Sequence, residues 1–103
     1  MIKVTLNKTG DKLHGFTVKN HGESIVCSAV SMLTINTVNA IECFTSADFS
    51  CDYDENGGYI KFILNEPDED TFLLLRTMEL GLRSADEMYP GEISISEKEG
   101  ELK

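Results

Sequence analysis

Ile25-Val26-Cys27-Ser28-Ala29-Val30-Ser31-Met32-Leu33-Thr34-Ile35-Asn36-Thr37-Val38-Asn39-Ala40-Ile41-Glu42-Cys43-Phe44 is the stretch on which the fold turns. Val26, Val30, Leu33, Thr37, Ile41 and Phe44 recur at intervals of 4, 3, 4, 4 and 3, which is one continuous stripe of an amphipathic helix. On both sides of it the hydrophobic period falls to two, so a helix is set between strands. Upstream, Ile2, Val4 and Leu6 alternate with Lys3 and Thr5 as a half-buried strand. Asn7-Lys8-Thr9-Gly10-Asp11 supplies turn residues, and a second strand over about 12–19 places Phe16 and Val18 on one face.

Downstream, Phe49, Cys51 and Tyr53 alternate, Asn56-Gly57 is a turn pair, and Tyr59 to Leu64 returns. Asn-Gly suits a type I′ hairpin because both central residues need positive φ. A second helix is expected over about 68–89. It opens on Asp68, Glu69 and Asp70, where the helix dipole favours carboxylates, and it stops at Pro90. Phe72, Leu75, Met78, Leu82, Ala85 and Tyr89 form its apolar stripe. A short strand over 92–96 follows, with Ile93 and Ile95 inward, and residues 97–103 read as a polar, frayed tail. The order is ββαββαβ, an α+β sandwich: a mixed sheet of about five strands with two helices on one face. Residues 1–96 form a single domain on this reading.

The chain has 103 residues, 41% of them hydrophobic and 26% charged, as expected for one globular domain. Eighteen acidic residues against 9 basic ones give a formal charge of -9. That balance argues against direct nucleic-acid binding and suits a basic partner. Three cysteines are an odd number, so a complete disulfide framework is not expected and a reduced, cytoplasmic location is. No run of about 18 apolar residues suggests a membrane span, and the alternating start lacks a signal-peptide core.

With two histidines and three cysteines, the nucleophile–base pairs can be enumerated. His21 follows the second strand, and Cys27 lies six residues on, at the start of the first helix. A helix N-terminus and an imidazolium both favour thiolate, the nucleophilic form of cysteine. Ser24 is the expected N-cap, which puts Cys27 in the first turn. Spacing alone leaves a second reading open, in which Cys27 packs in a core among Ile25, Val26 and Val30. Cys43 and Cys51 read as packing residues. No C-x-x-C pair suggests a metal, and the acidic run 66–70 lacks the spacing of a calcium loop, so no cofactor is expected.

Gly15-Phe16-Thr17-Val18-Lys19-Asn20-His21 and Ile25-Val26-Cys27-Ser28-Ala29-Val30-Ser31 together resemble the signature of the ribosomal-processing cysteine protease family, Prp. The resemblance continues through Asn39-Ala40-Ile41, Asp54-Glu55-Asn56-Gly57-Gly58-Tyr59, Leu74 to Leu82 and Tyr89-Pro90. It implies a homodimeric cysteine endopeptidase with Cys27 as nucleophile and His21 as general base. The implied substrate is the leader-bearing form of large-subunit ribosomal protein twenty-seven, cut after an apolar, Phe-containing leader. His14 does not match the motif. Three departures stand out: Asn20 replaces the glycine before the motif histidine, the loop between His21 and Cys27 is about six residues shorter than in many relatives, and Ser24 replaces an aspartate. Glu23 and Ser24, with Ser31 one turn beyond Cys27 on the same helix face, are the candidate supporting residues. The departures also leave an alternative, a non-catalytic ribosome-associated binding protein on the same fold. A dimer contact is expected on the uncovered sheet face or at an edge.

Overall fold

The computed structural model describes residues 1–20, 22–54 and 58–99. The elements run β1 (Ile2–Thr9), β2 (Lys12–Lys19), α1 (Ser24–Phe44), β3 (Phe49–Tyr53), β4 (Tyr59–Leu64), α2 (Glu69–Met88) and β5 (Ile93–Glu99). The expected order is the observed one. The strands form one sheet in the order β3-β4-β2-β1-β5. Only β1 and β5 pair in parallel; the β1–β2, β2–β4 and β3–β4 pairs are antiparallel. The Asn56-Gly57 turn lies outside the described residues.

Strand alternation decides which face of the sheet is covered. Ile2, Val4, Leu6, Phe16, Val18, Phe62 and Leu64 point to the helices and are buried. Phe62 anchors this layer, with ring centroids 5.3 Å from Phe16 and 5.2 Å from Phe49. Leu75, Met78, Leu82 and Ala85 of α2 close over it. Asp68 caps α2 by accepting from the backbone of Thr71 at 2.9 Å, and the Thr71 hydroxyl accepts from Asp68 N–H at 2.8 Å. This reciprocal box satisfies two donors that a helix start leaves orphaned. Gly81 lets the helices meet: a Cβ there would lie 2.6 Å from Leu33 Cδ2 of α1.

Three expectations need correction. Residues 97–99 are not a frayed tail, because β5 stays paired with β1 as far as Lys8 opposite Glu99. Glu97 and Glu79 clamp Lys8 and Arg83 there, with N–O distances of 2.8–3.4 Å. Residues 100–103 lie outside the described ones. Likewise, β1 continues through Asn7, Lys8 and Thr9 with a register shift, which moves the turn to Gly10-Asp11. Finally, Phe44 is 79% exposed, and Thr34 rather than Leu33 joins the fully buried stripe of α1. Thr34 and Thr37 are tolerated in that stripe because their hydroxyls donate back to the carbonyls of Val30 and Leu33.

By length and hydropathy, α1 is also the one described helix that would suit a bilayer. In this fold it lays Val26, Val30 and Ile41 into the shared core and leaves Ile25, Met32, Ile35 and Phe44 exposed.

Candidate active site

The link from β2 to α1 is only residues 20–23. It begins with Asn20, whose φ of 73° is the only positive value among the described non-glycine residues. Asparagine tolerates this left-handed conformation better than other side chains, so Asn20 can stand where the family pattern carries glycine. Its N–H donates to the carbonyl of Gly58 at 2.8 Å, which ties the end of β2 to the base of the β3–β4 hairpin. His21, the expected base, lies outside the described residues.

The cap of α1 is Glu23, not Ser24. Glu23 has extended backbone (φ -60, ψ 143), and one carboxylate oxygen accepts from Ile25 N–H at 3.1 Å and Val26 N–H at 3.4 Å. Its longer side chain reaches past the hydroxyl position, so Ser24 becomes the first helical residue. Cys27 remains in the first turn, and its N–H donates to the Glu23 carbonyl at 2.8 Å. The thiol is half-buried, and its Sγ accepts from the N–H of Gly22 at 3.4 Å. A Cβ at Gly22 would sit 3.0 Å from Ile2 Cγ1, so this backbone runs close over β1.

Cys27 opens into a cavity of about 580 Å³ between α1 and the β3–β4 half of the sheet. Its apolar walls include Val30, Ile35, Val38 and Ile60, while Asn20, Asp54, Tyr53 and Tyr59 stand nearer the hairpin base. Ser31 lines the same cavity one helical turn beyond Cys27. Glu23 and Ser24 act at the helix start and do not line it.

Cys51 also lines this cavity, a placement that the sequence pattern did not reveal. Burial, followed by the neighbouring Asp52 carboxylate, pushes its thiol pKa up, which favours the unreactive protonated form. Cys43 is exposed at the far end of α1. Gly22 was missed as a donor because a backbone N–H leaves no mark in side-chain chemistry. The floor residues were missed because they come from β3 and β4, more than twenty positions from Cys27.

A half-buried thiol in the first turn of a helix, bordering an apolar groove, is suited to attack a carbonyl held in that groove. With Ile25 and Val26 N–H engaged by Glu23, the Gly22 N–H is the donor seen at the sulfur.

The model of the cysteine protease Prp family matches residues 1–94. A crystal structure of the essential ribosomal processing protease Prp of Staphylococcus aureus, with a covalently linked product peptide, superposes with a TM-score of 0.88. It is 29% identical and covers 95% of this chain and 100% of its own. The same protease with a substrate peptide gives 0.84 at 28% identity, over 95% of this chain and 100% of its own. A Streptococcus mutans protein gives 0.85 at 30% identity, over 97% and 99% of the two chains. No curated protein sequence matches.

Proposed function

The chain belongs to the Prp family of cysteine proteases, and from that premise we propose that it removes the N-terminal leader of large-subunit ribosomal protein twenty-seven by a Cys27–His21 mechanism. The observation that carries this reading is the placement of Cys27 in the first turn of α1, bordering an apolar cavity and accepting from Gly22 N–H. Cys27 Sγ attacks the scissile carbonyl carbon and forms a thioester as the C–N bond breaks. His21 takes the thiol proton and delivers it to the leaving amine. Water then attacks the thioester carbonyl, releases the leader acid and restores the thiol.

At about 580 Å³ and with largely apolar walls, the cavity is large enough to take an aromatic side chain from the leader, whose burial is worth about 1.5–3 kcal/mol. The formal charge of -9 suits a basic substrate. The three free cysteines support cytoplasmic residence. Assembly as a homodimer is supported by the apolar outer surface of α1, where Met32 is 70% and Phe44 79% exposed. The open sheet face is polar, so α1 is the better dimer contact. Incubating the protein with the leader-bearing ribosomal protein tests the function. One new N-terminus after the leader is the expected product, and a substrate bound without being cut would favour a non-catalytic binding role.

A further inference from the structure

The helix-free face of the sheet carries a charge opposite to that of the chain. Strand alternation sends Lys3, Lys19, Lys61 and Lys98 to this side, four of the nine basic residues. Asp52, opposite Lys61, is the only acidic strand residue that shares it among the described residues. Among the described residues the ion pairs go elsewhere, to Lys8 and Arg83. Lys3 and Lys19 stand directly across from each other in the β1–β2 pair. Like charges in that position destabilise a sheet, and a bound anion between them removes the cost. The four lysines span β4, β2, β1 and β5, roughly 14 Å across at about 4.8 Å per strand. Between them lie Thr5, Asn7 and Thr17, which line a shallow trough of about 660 Å³ with the lysines.

We propose that this trough is an RNA-docking surface, which lies over the shallow minor groove of an A-form duplex with its lysines on the flanking phosphates. Charge complementarity selects a polyanion, and the side chains select among polyanions. Protein interfaces are centred on apolar and aromatic residues and are depleted in lysine, but this trough has one apolar side chain, Ile63. Lysine, threonine and asparagine are the side chains that grip phosphate and sugar. The trough holds no Phe, Tyr or Trp, and its one imidazole, His14, is buried, so it lacks a stacking platform for single strands. A five-stranded sheet is too broad to enter the DNA major groove, whereas the wide, shallow minor groove of duplex RNA presents phosphates and 2′-hydroxyls to a broad surface. The expectation against nucleic acid averaged charge over the whole chain; the fold segregates it. Cys27 and its cavity lie on the opposite face, so docking leaves the substrate groove open.

The test is fluorescence anisotropy of the full chain with a mixed-sequence RNA duplex of about 16 base pairs. Parallel titrations use the matching DNA duplex, the RNA single strand and a poly-glutamate peptide. Four phosphate contacts, each contributing a slope of about -0.9, predict roughly a hundredfold loss of RNA affinity between about 50 and 200 mM salt. K19Q/K61Q should lower the salt slope by about two while cleavage of a short peptide stays unchanged. K98Q, on edge strand β5, should lower the slope by about one without touching the inner strands. Equal binding to poly-glutamate or to DNA, unaltered RNA affinity in these variants, or no RNA binding at low salt would each overturn the proposal.

Discussion

The backbone N–H of Gly22 points at the sulfur of Cys27, 3.4 Å away, across the turn that joins β2 to α1. A donor so placed stabilises negative charge on the thiolate and fixes the sulfur's direction towards the cavity. Gly22 can do this because it passes within contact distance of Ile2, where a larger residue would collide. In Gly22→Ala the new methyl pushes against Ile2 and lifts the N–H from the sulfur. The peptide-cleavage rate should drop on the order of tenfold, with thermal stability nearly kept, because one charge-assisted hydrogen bond is worth about 1.5–3 kcal/mol. Unchanged kcat/KM in a variant that retains its fold would remove Gly22 from the mechanism.

The left-handed backbone at Asn20 makes a separate prediction. Asn20→Gly should fold and cleave like the parent, since glycine takes φ of 73° without strain. Asn20→Val should lose roughly 1–2 kcal/mol in denaturant unfolding, as a side chain in this region does. It should also cut more slowly, because strain at Asn20 disturbs the hydrogen bond that ties the end of β2 to Gly58 beside the cavity. Equal stability of the valine and glycine variants would contradict the conformational explanation.

Thiol selectivity follows from two cysteines that share one cavity. Iodoacetamide near neutral pH should label Cys27 before Cys51, because the raised pKa of Cys51 keeps that thiol protonated. Asp52→Asn removes the smaller of the two causes and should speed Cys51 labelling modestly, with burial still slowing it. Peptide mapping of the alkylated protein reads both rates. Faster labelling of Cys51 than of Cys27 would reverse the assignment of the nucleophile.

Acid stability should depend on the clamp around Glu79. Burial alone would raise this carboxyl pKa, but hydrogen bonds from Arg83 and Lys8, with their charges, outweigh burial and hold it below the usual carboxylate range. A depressed pKa in the folded state adds stability above the unfolded value of about 4.3, and the gain is lost as pH falls through the folded pKa. Glu79→Gln should therefore melt earlier than the parent near neutrality, and the gap should close as pH drops below about 4. A gap that stays constant with pH would mean packing, not charge, holds β1 and β5 to α2.

Much of this architecture was legible because the apolar period switches cleanly between two and 3.6. The boundaries of β2, β4 and α2 follow from turn residues and caps that the sequence displays openly. The end of β5 did not, since Glu97 and Glu99 look like a solvated tail until Lys8 and Arg83 are seen beside them. The helix start was misassigned for a local reason: Ser24 and Glu23 can both cap, and only the extended backbone of Glu23 decides between them. Cys27 was visible through its neighbours, but the cavity was not, because its floor comes from strands distant in sequence. The lysine face was hidden by the acidic sum.

Intact-mass spectrometry of the leader-bearing ribosomal protein, after incubation with the wild-type chain and with Cys27→Ala, tests the central claim most directly. The wild type should yield one released leader and a mature product, while the folded alanine variant leaves the substrate at full mass. Cleavage at the same bond by Cys27→Ala would show that the thiol in the first turn of α1 is not the nucleophile.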